Sequence, residues 1–376
     1  MNGIETFYGP SGPEDKDTLF DASSFLGFLR RSNPVWHASI GDKGTTESFF
    51  RGESEDKTEQ RWVYRGQADS SWKLVPSAAR PGTALQPLVD RFTKDLEAHS
   101  AWSKIPTYRR HVAASVLAYL SAVNDFTRFG HRMGFFDEPG NPNLLINGLP
   151  WPNTDNNGRL AMGHHSLSDR MALGGGPYPL NWHPTTALAQ HHGVPTFLLD
   201  WTENPWFAAH FAAIPSRDLD DRADICVWAL DIKKVDDGAS NAIGIHGIGS
   251  IMVNRPAKSH NQFLASQDGL LTFLLDDGEY WEQHGAYLPL EDLIEKMASK
   301  VAEVEKTGDT KEIKYAKKRL FSDGQAVLRK IVLSKEHVPK LRQLLLLEGI
   351  TTAHLMPTLD NVAKTSLTLT VDAAKA

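Results

Sequence analysis

The chain has 376 residues, 41% hydrophobic and 23% charged, an ordinary balance for a globular protein with one large core or two modest ones. A net charge of −6 argues against coating a nucleic-acid backbone, which takes clustered Lys and Arg, and the single cysteine, Cys226, excludes an intrachain disulfide and a cysteine-rich zinc site. No basic-then-apolar leader opens the sequence and no uncharged apolar run nears the roughly 18 residues a spanning helix needs, so the cytoplasm is the expected location.

Residues 1–18 read as a loose arm, followed by a helix over Ala22–Arg30 with Phe25, Leu26 and Leu29 on one face. Gly41–Gln60 is polar and reads as a loop, and Arg61–Tyr64 as a short strand. Leu85, Leu88, Val89, Phe92 and Leu96 form one helical stripe, and Val112, Val116, Leu117, Leu120 and Val123 a second. From Phe136 to Tyr178, Gly, Pro and Asn dominate without periodicity, which predicts an insertion that covers a site.

The stretch Ala189–Ala213, AQHHGVPTFLLDWTENPWFAAHFAA, packs a βα unit into little space. Thr196–Leu199 is a continuous apolar run suited to a buried strand, with Asp200, Trp201 and Thr202 at its C-terminal end. Asn204-Pro205 then signals a helix start. Further strands are expected at Ile225–Leu230, Gly269–Leu275 and Ala326–Leu333, and helices at Leu290–Lys306 and Val338–Leu347, while the lysines of Lys311–Arg319 read as a solvated helix face. This order gives an α+β fold with a partly antiparallel sheet.

Among candidate site residues, Arg65-Gly66 offers a guanidinium fork suited to phosphate or ribose oxygens and a backbone that a ligand can approach closely; a structural Arg–carboxylate pair is the alternative. His191, His192 and Asp200 are residue types that bind zinc or iron, which leaves a metal-dependent hydrolase or nuclease open, although adjacent histidines point apart and the expected metal content is none. GxxxxGK, GxSxG and HExxH are all missing.

Four blocks in order resemble the FRG domain. They are WVYRGQADSSWKLVPSAAR (Trp62–Arg80), the QHHG-LLDWT-NP segment, SQDGLLTF (Ser266–Phe273) and LRQLLLLEGITTAHLMPTLDNVA (Leu341–Ala363). The resemblance spans roughly residues 60–365 and divides the chain into an arm and helix (1–60), one domain (61–365) with a loop-rich insertion at about 133–182, and a tail (366–376). The chain departs from the family at Phe197 and Phe263, where arginine is common, at His192 in place of Tyr, and at Met356 in place of Phe.

Through its similarity to ADP-ribosyltransferases, the resemblance implies a split, partly antiparallel sheet and NAD as the bound substrate. Tyr64, Arg65, Gly66, Gln67, Trp201 and Thr202 would form its binding wall, with Arg65, Asp200 and Gln267 as catalytic residues. Arg65 would grip the diphosphate or ribose, and Trp201, or Trp72, would stack a flat heteroaromatic ring, the alternative being a core position. Asp200 would orient a ribose hydroxyl or hold a bend. Gln267 would replace the transferase glutamate, and as an amide it cannot carry charge, so Asp268, Glu279 and Glu282 are the nearest carboxylates in sequence to assist. The implied activity is ADP-ribosyl transfer to a macromolecule or NAD hydrolysis, as in toxins and phage defence. A non-catalytic nucleotide-binding module is the second implication, and neither nucleic acid nor a membrane is expected as partner.

Overall fold

The computed structural model describes residues 3–10, 12, 19–36, 61–98, 106–135, 184–214, 223–236, 242–245, 248–256, 258, 261–275, 279–304 and 311–375. The chain begins with β1 (Ile4–Phe7) and α1 (Ala22–Leu29). Asp21 caps α1 by accepting the Ser24 N–H at 2.7 Å, and the Ser24 hydroxyl oxygen accepts the Asp21 N–H at 3.0 Å. β2 (Trp62–Gln67) leads through a crossing segment to the paired helices α2 (Gln86–Ala98) and α3 (Thr107–Arg132). Next come α4 (Pro184–His191), β3 (Leu198–Thr202), α5 (Pro205–Ala213), β4 (Ile225–Asp231) and α6 (Ile232–Val235). β5 (Ala242–Ile245), β6 (Gly249–Asn254), α7 (Gln262–Ser266), β7 (Gly269–Leu275) and α8 (Glu279–His284) follow. The chain closes with α9 (Leu290–Val304), α10 (Lys311–Leu320), β8 (Leu328–Leu333), α11 (Val338–Leu347), α12 (Thr352–Leu355) and α13 (Leu359–Lys375).

The fold is α+β. Among the described residues eight strands form one sheet in the order β1-β8-β4-β2-β3-β7-β6-β5, in which β1–β8 is parallel and the other pairs are antiparallel. Strand alternation sends Val63, Leu199, Trp201, Trp228, Leu230 and Leu328 to one face, under α9 and α10. The opposite face carries two separate cores. α1, α5 and α11 cover Phe7, Trp62, Tyr64, Val227, Ala229 and Ile331, whereas α2, α3 and α4 cover Leu198, Met252, Leu271 and Phe273. The boundary between these two cores falls at β2 and β3.

Those two strands are neighbours that scarcely pair. β2 matches β4 along all six residues and β3 matches β7 along all five, yet β2 and β3 share only Tyr64↔Thr202 and part beyond it. The expected strand Thr196–Leu199 is displaced to Leu198–Thr202, because Thr196 is engaged elsewhere. Its N–H donates to Ser77 Oγ at 3.1 Å and its carbonyl accepts the Ala78 N–H at 3.0 Å, so the crossing segment takes the edge that β2 leaves free.

Two further expectations change. Residues 4–7 of the loose arm form β1, whose register runs from Ile4↔Leu328 to Phe7↔Ile331. The tail expected at 366–376 belongs to α13 as far as Lys375. The expected loop at 41–60 and insertion at 136–178 lie outside the described residues. Among the described residues no helix is long and apolar enough to cross a membrane.

Candidate functional site at the parting of two strands

Arg65 and Asp200 meet where β2 and β3 separate. The Arg65 side chain is 16% exposed and reaches across the gap, its Nη1 donating to the Asp200 carbonyl at 2.9 Å and lying 3.6 Å from Asp200 Oδ2. Its buried Nε–H has no hydrogen-bond partner among the described residues. Asp200, whose side chain is 41% exposed, points away from the core that holds Leu199 and Trp201 and toward α4. There Gln190 Nε2 donates to Asp200 Oδ1 at 2.5 Å, and the buried Thr196 hydroxyl donates to Gln190 Oε1.

Arg80 stands at the rim, its Nε donating to Val75 O at 3.1 Å. Partial desolvation lowers its pKa, Arg65 adds to that effect and Asp200 opposes it, so the three charges act on one another. Two guanidinium groups against one carboxylate leave a local excess of positive charge that suits an anionic ligand.

The other expected residues surround this pair as structure. Tyr64 lies on the opposite face, 1% exposed, edge-on to Trp36 at 5.5 Å, and burial raises its phenol pKa above the ordinary value. Gly66 permits a close approach, but the approaching group is a helix and not a ligand. A Cβ there would lie 2.0 Å from Ala208 O and 2.6 Å from Ala212 N, because α5 rests on β2 at this point. Gln67 is buried and accepts the Trp228 indole N–H at 2.8 Å. Trp201 is also in the core, donating to Thr272 Oγ1 at 2.8 Å, which leaves no exposed indole face for a nicotinamide ring. Trp72 is exposed on the turn after β2.

Gln267 and Thr202 meet at the paired end of β3, where the Thr202 hydroxyl donates to Gln267 O at 2.5 Å. The Gln267 carboxamide donates to Leu355 O at 3.0 Å, while its Oε1 accepts from no described residue. Asp268 occupies the turn into β7 with φ 47° and lies 3.6 Å from Lys258, and Glu282 is exposed on α8. The structure therefore joins Arg65 to Asp200 and Thr202 to Gln267, at alternate positions along β3.

His191 stacks on Phe263 at 5.7 Å and His192 meets the same ring edge-on at 5.3 Å. Among the described residues no group of three or more His, Cys, Asp or Glu is placed to hold a metal ion. Cys226 is buried, and desolvation pushes its thiol up to about 12, which removes it as a nucleophile at neutral pH. Gln190 opens the QHHG block and Arg80 closes the first block, yet neither they nor Thr196 received a role from the sequence, because their importance lies in what they touch.

The model of the FRG domain family matches residues 162–221, a segment whose described part holds α4, β3 and α5. The match supports reading the chain as an FRG domain protein. No curated protein and no solved structure matches the chain.

Proposed function

Taking the FRG domain match as premise, we propose that this protein binds NAD at the parting of β2 and β3 and cleaves its nicotinamide–ribose bond, as an ADP-ribosyltransferase-like enzyme. The observation that carries the proposal is the Arg65–Asp200 pair: a mostly buried guanidinium with an unpartnered Nε–H, beside a carboxylate open to solvent. The guanidinium fits the diphosphate, and the carboxylate stabilises the positive ribosyl centre as it develops. The bond from ribose C1′ to the nicotinamide nitrogen breaks, and its electron pair leaves with neutral nicotinamide. An acceptor oxygen or nitrogen then bonds to C1′ and gives up its proton; with water as acceptor, NAD+ and H2O yield ADP-ribose, nicotinamide and H+. Gln267 Oε1, unoccupied by any described donor, is available to a ribose hydroxyl.

Calorimetric titration of NAD into wild type and Arg65→Lys tests this reading. Lysine keeps the charge and loses the fork, so binding weakens by about 1–3 kcal/mol while the melting temperature stays nearly constant. Normal binding, or an unfolded variant, would return Arg65 to a structural ion pair. A second reading, a nucleotide-binding module without catalysis, is favoured by Gln267, an amide already tied to Leu355. NAD binding without nicotinamide release under any acceptor condition would select it.

A further inference from the structure

We propose that Gln190 is the positioning residue that aims the Asp200 carboxylate into the gap between β2 and β3, with the Thr196 hydroxyl anchoring the Gln190 amide. The inference rests on the enzymatic reading above and adds a residue for which the proposed reaction has so far had no role.

The hydrogen bonds run in one direction only. Leu198 N–H donates to Thr196 Oγ1 at 3.2 Å and occupies one lone pair of that hydroxyl, whose proton goes to Gln190 Oε1. With Oε1 accepting, the amide must present Nε2 to its other neighbour, which is Asp200 Oδ1. A flipped amide could still donate to the second lone pair of Thr196 Oγ1, but it would set its oxygen against the acceptor-only Asp200 carboxylate. The Asp200 carboxylate thus sets which way the amide faces, and the fully buried Thr196 hydroxyl holds the amide in place from its other end.

The carboxylate is consequently held at several points. Gln190 holds Oδ1, Arg65 holds the backbone carbonyl at 2.9 Å, and β3 holds the main chain against Leu271 of β7. Oδ2 is left toward the gap, 3.6 Å from Arg65 Nη1. An exposed carboxylate with a free χ1 would spend much of its time facing water. Fixing one oxygen keeps the other where positive charge develops on the ribose, which is preorganisation of an electrostatic group. Gln190 touches no reacting atom, and its whole effect passes through Asp200.

The test measures nicotinamide release and NAD binding for wild type, Gln190→Ala, Asp200→Ala and the double variant. Gln190→Ala is expected to lower kcat on the order of tenfold to a hundredfold, as a misplaced catalytic group does, while the Kd for NAD changes by less than about threefold. In the Asp200→Ala background the same change is expected to have no further effect, because the residue it positions is gone. Thr196→Ser retains the hydroxyl and should keep kcat, whereas the near-isosteric Thr196→Val should reproduce the loss, which also covers a Gln190→Ala protein that fails to fold. An unchanged kcat in Gln190→Ala or Thr196→Val, or losses that multiply in the double variant, would overturn the inference and leave the enzyme reading intact. A wild type that releases no nicotinamide overturns both.

Discussion

At the scale of single residues, burial decides which polar groups remain available for chemistry. His210 on α5 shares a 3.1 Å hydrogen bond with Thr352 Oγ1, and burial, with Arg342 adding to it, holds the imidazole down at about 4. The folded state therefore favours the neutral ring, while the unfolded chain takes up a proton near the ordinary value of 6.5. The stability this group contributes is complete above 6.5 and is lost as the pH falls from 6.5 toward 4, at no more than about 1.4 kcal/mol per pH unit. His210→Gln removes that slope while keeping a partner for Thr352. Urea unfolding of both proteins at several pH values between 4 and 7 checks this, and parallel stability curves would show that His210 is not the source. Asp200 contrasts with His210: it was legible in the sequence as a polar residue after an apolar run, and its exposure keeps it available for a ligand.

At the scale of elements, the packing of α5 on β2 explains the Gly in Arg65-Gly66-Gln67. The helix is rich in alanine along its buried face, Ala208, Ala209, Ala212 and Ala213, and this lets its backbone reach the strand. Gly66→Ala places a methyl carbon 2.0 Å from a carbonyl oxygen that belongs to helix backbone, so α5 must move. The expected loss exceeds the roughly 1–3 kcal/mol of ordinary overpacking, and a fall in the urea midpoint or failure to fold checks it. A variant of unchanged stability that loses nucleotide binding would instead give Gly66 to the ligand. Sequence patterns located α1, α2, α3, α9 and α11 and most central strands, because each carries enough apolar residues to show its period. β5 and β6 escaped, since the glycines of Ala242–Ser250 hide the alternation in so short a hairpin.

At the scale of the molecule, the sheet is closed on one side by its first few residues. β1 adds in parallel to β8, Gly3 O accepts the N–H groups of Val327 and Leu328 at 3.0 and 3.1 Å, and Glu5 accepts from the buried Arg329 Nε at 3.0 Å. Phe7 is buried in the same core as Trp62 and Tyr64. Removing residues 1–8 strips β8 of its parallel neighbour, leaving only β4 beside it, takes the Glu5 carboxylate from Arg329, and exposes a new sheet edge. The expected loss is at least about 3 kcal/mol, the lower end for truncating a buried Phe alone, with a matching tendency to aggregate. Equilibrium unfolding with light scattering checks this, and a shortened protein of equal stability would mean that β1 contributes little.

The sequence by itself determined the class of the fold and the βα unit around Asp200, because hydrophobic periodicity, Asn204-Pro205 at the α5 start and the polar residues after an apolar run are all local signals. It also singled out Arg65. Tertiary structure alone decided the partners. It set β1 beside a strand more than three hundred residues away, turned Tyr64, Gln67 and Trp201 into support, and gave Gly66 to a helix. It also parted β2 from β3 so that Arg65, Asp200, Gln190 and Thr196 converge. The physical reason is one of range: periodicity and capping act within a few turns of chain, whereas strand register and side-chain hydrogen bonds across the sheet depend on where distant segments come to rest.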